Sequence, residues 1–123
     1  MAEKILVIDD DTLNLKMAER ILKDTYDVFC AKSGMEGIDM IRNSKMDLVL
    51  LDLDMPYMNG LEVLAKIRED ESIADVKVAI LTAAEGGEEM EDAIRLGTLD
   101  FIKKPFLPAK LLERVKKILE VEK

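Results

Sequence analysis

Asp9, Asp10 and Asp11 in a row, then Asp52, Thr82 and Lys104, are the side chains whose types and placement could support chemistry. Each group lies at the end of, or close behind, a short apolar run: Ile5 to Ile8, Leu48 to Leu51, Val78 to Leu81 and Phe101-Ile102. Two carboxylates held about 4 Å apart repel by roughly 4 kcal/mol at an effective dielectric of 20. A bound cation relieves that cost. The chain has no histidine, and Cys30 is its one cysteine, so the nitrogen and sulfur ligands of zinc sites are missing. Oxygen ligands alone point to Mg²⁺, held by one or two carboxylates with water completing an octahedron. The same absences exclude a Ser-His triad, a phosphohistidine intermediate on this chain, a CxxC redox pair and an internal disulfide.

Each residue also has an ordinary structural reading. One of Asp11 and Thr12 is expected to cap the helix that follows, and Asp9 and Asp10 would serve as turn residues. Asp52 could be a loop residue before the turns at Met55-Pro56 and Asn59-Gly60, Thr82 a helix cap, and Lys104 a solvated lysine. What separates them from such residues is their joint placement at the ends of four apolar runs.

Those runs, with Val28-Phe29-Cys30-Ala31, read as five strands. Between them lie amphipathic stripes at helical spacing: Leu13, Met17 and Ile21 with Ala18 and Leu22; Met35, Ile38 and Ile41; Leu61, Leu64 and Ala65; Met90, Ala93 and Ile94. A fifth, Leu111, Leu112, Val115, Ile118 and Leu119, closes the chain. Ser33 with Glu36 forms a capping-box pattern, Pro108 suits a first helical turn, and Gly97 suits a helix end. Strict alternation predicts an α/β fold, a doubly wound five-stranded parallel sheet with helices on both faces. The first, third and fourth runs are uninterrupted, as strands covered on both faces must be. Asp27 and Asp100 beside the other two place those at the edges. The order is then 2-1-3-4-5, with its switch point between strands one and three, where ligands bind beyond the strands' carboxyl ends.

The 123 residues carry 26 acids and 18 bases, a formal net charge of −8. That length predicts a single domain over 1–123. The negative field disfavours direct binding to nucleic acid or anionic lipid. The first apolar run is too short for a signal peptide, and none approaches the ~20 residues of a membrane span. A cytoplasmic, reducing setting is expected.

The motifs Asp9-Asp10, Leu50-Leu51-Asp52-Leu53-Asp54-Met55-Pro56-Tyr57-Met58-Asn59-Gly60, Leu81-Thr82-Ala83 and Asp100-Phe101-Ile102-Lys103-Lys104-Pro105-Phe106 resemble the receiver domain of two-component response regulators, of the chemotaxis single-domain type. The resemblance spans essentially the whole chain. It implies that Asp52 accepts a phosphoryl group from a sensor histidine kinase or histidine phosphotransfer protein. It implies Mg²⁺ on Asp10, Asp52 and the backbone carbonyl of Asp54, with Asp9 acting mainly through water. Lys104 and Thr82 would hold phosphoryl oxygens, Phe101 would follow Thr82 as a switch, and Lys104-Pro105 would be a cis peptide. The switched face would be helix four, strand five and helix five, read by a downstream protein or a fused output domain. Two positions depart from the family pattern. Ala84 offers no polar side chain where many relatives have one, so that Ala84 and Asp54 are the residues expected to set the phosphoryl lifetime, and Thr98 stands where alanine is usual.

A competing enzyme reading is a phosphohydrolase of the haloacid dehalogenase type, since Leu51-Asp52-Leu53-Asp54 is similar to that family's nucleophile motif. Its second acidic pair, however, follows the nucleophile, whereas Asp9-Asp10 precedes Asp52. A flavodoxin-like binding module would need hydroxyls and amides, not three acids, in its first loop. The expectation is a phosphoacceptor signalling domain rather than an enzyme.

Overall fold

The computed structural model describes residues 2–83 and 87–120. Strands β1 (Lys4–Ile8), β2 (Asp27–Ala31), β3 (Leu48–Asp52), β4 (Val78–Thr82) and β5 (Phe101–Lys103) alternate with helices α1 (Thr12–Leu22), α2 (Gly34–Asn43), α3 (Gly60–Glu69), α4 (Glu88–Arg95) and α5 (Pro108–Glu120). The strands pair in parallel in the order β2-β1-β3-β4-β5. β3 and β4 are buried throughout and β1 nearly so, while β2 and β5 at the edges are partly open.

Side chains alternate across a strand, and this divides the core in two. Ile5, Val7, Leu48, Leu50, Ala79 and Leu81 pack with α1 and α5. Leu6, Ile8, Val49, Leu51, Val78 and Ile80 pack with α2, α3 and α4. Burying both sides of the central strands fixes their height relative to the helices and therefore the height of the polar residues at their ends.

Helix faces agree with the sequence stripes in part. In α1 the core face is Leu15, Ala18 and Leu22, while Leu13 is 65% exposed. Ala18 and Leu22 of the predicted stripe are buried and Met17 and Ile21 pack, partly buried, against the same core, so that Leu13 alone of that stripe turns outward and Leu15 takes the inward place at the helix start. Met35 and Ile94 also face outward, leaving Ala93 as the buried residue of α4. That helix rests on α3 through one narrow side.

The helix ends follow their capping residues. Asp11 caps α1, and its side chain accepts the Leu13 N–H. Ser33 caps α2 by accepting from the Glu36 N–H, but Glu36 in turn accepts from Lys32 rather than from Ser33, so the box is shifted by one residue. Asn59 and Glu62 form a complete box at α3. Gly97, at φ 82, ends α4 with paired bonds from Gly97 N–H to Ile94 and from Thr98 N–H to Ala93, the Schellman arrangement. Pro108 opens α5.

Candidate functional site

β1 and β3 are neighbours with Ile8 opposite Leu51, so Asp9 and Asp52 emerge side by side. The apolar runs end at Leu51 and Leu81, which places Asp52 and Thr82 just beyond the strands expected from the sequence. They are instead the last strand residues, because ladder pairing continues through Asp52 with Leu81 and Thr82 with Lys103. Thr82 is not a helix cap; Gly87 precedes α4 at φ 101 with no side-chain cap.

Asp9 is fully buried, Asp52 and Thr82 are each 2% exposed, and Asp10 faces solvent. Carboxylate oxygens of Asp9, Asp10 and Asp52 lie within 4.8 Å of one another. Lys104 reaches in from beyond β5. Its Nζ donates to Asp52 Oδ1 at 2.9 Å and lies 3.6 Å from Asp9 Oδ2, an ion-pair contact too long for a hydrogen bond. Lys104 itself is held by its backbone N–H donating to the Thr82 carbonyl, and the Lys104–Pro105 peptide is cis.

Burial dominates the charge state of Asp52. It raises the carboxyl to about 6, supported by the Asp9 charge and opposed by the Lys104 hydrogen bond and charge and by the Asp54 N–H. For Lys104 burial acts to lower the pKa, but the hydrogen bond and charge of Asp52, with Asp9 behind it, outweigh burial and raise it. One ammonium thus serves a pocket built from three carboxyl groups.

The pocket fits a hard cation. Asp9 Oδ1 accepts the Asp11 N–H at 3.0 Å, whereas Asp9 Oδ2 is buried with no hydrogen-bond partner among the described residues. The Lys104 ammonium at 3.6 Å offsets part of its charge but leaves its hydrogen-bonding capacity unmet, which is costly in a buried site unless a further polar or charged group meets it. With oxygen donors only, the cation that suits the set is Mg²⁺.

The other predicted residues fall around this centre. Asp54 is exposed, and its N–H donates to Asp52 Oδ1 at 3.3 Å. Its carboxylate does not belong to the acidic group. Phe101 is half-buried on β5 opposite Ile80, with β4 standing between its strand and the Asp52 strand β3. Ala84 and Gly86 lie outside the described residues. Thr98 has a clear structural role: its hydroxyl donates toward the carbonyls of Val78 and Asp100, which flank the β4–β5 pairing.

From the sequence, Asn59-Gly60 marks a turn, and the structure gives Gly60 a further role. A Cβ there would lie 2.3 Å from the Asp52 carbonyl oxygen and 2.8 Å from Leu53 Cα, and its N–H bonds to Leu53. It lets the start of α3 press against the end of β3, which no local sequence signal reveals because the contact is tertiary.

The sequence model for the response regulator receiver domain matches residues 5–116. Chemotaxis protein CheY4 of Vibrio cholerae has a similar structure, with TM-score 0.90 at 25% identity over 96% of this chain and 99% of that one. A CheY-like receiver domain protein from Methanospirillum hungatei gives TM-score 0.90 at 31% identity, covering 98% and 95%. A response regulator from Thermotoga maritima gives 0.85 at 32%, covering 97% and 98%.

Proposed function

The chain belongs to the response regulator receiver domain family, and on that premise we propose that Asp52 accepts a phosphoryl group from a phosphohistidine on a sensor histidine kinase or histidine phosphotransfer protein. The observation that carries this reading is the convergence of Asp9, Asp10 and Asp52 within 4.8 Å, with Lys104 Nζ 2.9 Å from Asp52. A carboxylate oxygen of Asp52 forms the bond to phosphorus as the donor's P–N bond breaks and imidazole leaves.

Asp10 and Asp52, the Asp54 backbone carbonyl, and Asp9 through water are the groups that would hold Mg²⁺. When bound, the metal offsets repulsion between Asp52 and the incoming anion. Lys104 is already at Asp52 and takes one phosphoryl oxygen by a charge-assisted hydrogen bond. Thr82 ends the adjacent strand and offers its hydroxyl to another. Drawing that hydroxyl inward shifts the segment after β4 and lets Phe101 follow, so the face of α4, β5 and α5 changes for a downstream protein or fused output domain.

In this reading residues 1–123 are a single receiver domain that acts by switching rather than by turnover. Its only chemistry is gain and loss of its own phosphoryl group, over a lifetime tuned by Asp54 and Ala84. The phosphohydrolase alternative draws no support from the family match or the similar structures. No helix among the described residues is long and apolar enough to cross a membrane, and we place the domain in the cytoplasm, without direct nucleic-acid contact.

The test is incubation with a small-molecule phosphodonor and intact-mass measurement. One phosphoryl group per chain is expected with Mg²⁺, and none in its absence or in Asp52→Asn. Full labelling of Asp52→Asn overturns the assignment. Hydrogen exchange of the labelled form is expected to change most over 83–104.

A further inference from the structure

We infer that Asp11 is a positioning residue for the metal site and acts through its helix cap rather than its charge. The inference rests on the proposed Mg²⁺ pocket and adds a division of labour within the acidic triplet.

Three consecutive aspartates at the mouth of a strand invite the view that all three attract or ligate the cation. The geometry separates them. Asp9 and Asp10 belong, with Asp52, to the group whose oxygens converge, and Asp11 does not. Its Oδ1 is occupied by the Leu13 N–H at 2.9 Å, the N-cap bond of α1. Its carbonyl accepts from Leu15, so both ends of the residue are tied to the first turn of the helix. The remaining group, the Asp11 N–H, donates to Asp9 Oδ1 at 3.0 Å.

That last bond sets the rotation of the Asp9 carboxylate. One oxygen is held by the Asp11 amide, and the other, Oδ2, is thereby directed into the pocket, where it is buried, lies 3.6 Å from Lys104 Nζ and has no hydrogen-bond partner among the described residues. The Asp9 backbone is fixed independently by its own N–H donating to Ala31, leaving side-chain rotation to be set by the Asp11 hydrogen bond at Oδ1, with the longer Lys104 contact at Oδ2 as the weaker restraint. The Asp11 cap anchors the amide that restrains it. When the cap is lost, the first turn frays, the Asp11 N–H leaves Asp9 Oδ1, and Oδ2 is no longer aimed. Groups that orient ligands from behind in this way typically change metal affinity by tenfold or more when removed.

Charge and cap can be separated by substitution, because Asn and Ser cap helices about as well as Asp whereas Ala does not. Asp11→Asn, Asp11→Ser and Asp11→Ala remove the same unit of charge. Mg²⁺ is titrated calorimetrically into the metal-free full chain of each, at fixed ionic strength. The expected result is that Asn and Ser stay within about threefold of wild type, the residue of lost long-range attraction, while Ala binds about tenfold more weakly than Asn. Ser33→Ala removes the cap of α2 instead and is expected to leave Mg²⁺ affinity unchanged, so a general loss of stability is not mistaken for a positioning effect. Equal weakening by Asn, Ser and Ala overturns the inference in favour of charge. Wild-type affinity in Ala, or equal loss in Ser33→Ala, overturns it in favour of a purely structural cap. Absence of Mg²⁺ binding by the wild-type chain overturns the metal reading itself, and the inference with it.

Discussion

At the scale of the residue, Asp52 is held against its own preference. A carboxyl raised to about 6 by burial binds its proton more tightly folded than unfolded, where it titrates near 3.8. The penalty for ionising it is fully present above the folded value, shrinks as pH falls through 6, and is gone below the unfolded one. Asp52→Asn is therefore expected to stabilise the metal-free fold at pH 7.5 by about 1–2 kcal/mol, after allowing for the lost Lys104 partner. At pH 4 the gain is expected to disappear. Urea melts in chelator at the two pH values measure both, and an Asn variant less stable than wild type at pH 7.5 contradicts the burial argument. The residue types of the site were readable from the sequence because carboxylate, hydroxyl and lysine each follow an apolar run. Their unequal environments were not: adjacent Asp9 and Asp10 differ from fully buried to exposed, and that difference arises from β2 and β3 flanking the end of β1.

At the scale of the element, strand type and order were legible because burial on both faces enforces uninterrupted apolar runs at the centre of a parallel sheet. Helix faces were less so. Leu13 and Leu15 are equally apolar, and only the sheet's position decides which turns inward. Least visible was Arg68 on α3. Its guanidinium donates to Leu96 and Gly97 at the end of α4 and to Ala74 and Val76 before β4, four carbonyls supplied by segments distant or irregular in sequence. Burial pulls its pKa down against the opposing charge of Asp75. This fork ties the C-terminal end of α4 to α3, while the other end begins at uncapped Gly87. Arg68→Lys keeps the charge but cannot span the four acceptors. We expect a loss of about 1–3 kcal/mol, with faster amide exchange at Gly97 and Thr98, whose N–H groups close the α4 turn. Exchange that rises equally in α1 would mean that Arg68 supports the whole fold rather than this junction.

At the scale of the whole molecule, two electrostatic effects overlap and need separating. A net charge of −8 on 123 residues means that any added salt screens self-repulsion and stabilises the compact state. Mg²⁺ does this too, but binding in the pocket adds a separate contribution by mass action. At ten times its dissociation constant that contribution is about 1.4 kcal/mol, a rise on the order of 5 °C in the thermal midpoint for a domain of this size. Against NaCl of matched ionic strength, wild type is expected to show the additional rise with MgCl₂, and Asp52→Asn and Asp10→Ala to show only the screening part. Asp10 faces solvent but shares the acidic group with Asp9 and Asp52, so its removal in chelator is expected to relieve a solvent-screened repulsion and stabilise the fold by up to about 1 kcal/mol, whereas its loss of the Mg²⁺ increment is expected to be nearly complete. That contrast distinguishes a ligand from a structural acid: loss of a structural one destabilises the metal-free fold and leaves the increment in place. If MgCl₂ and NaCl stabilise wild type equally, the acidic convergence at the sheet's carboxyl end contributes to the protein's overall field and is not a cation site.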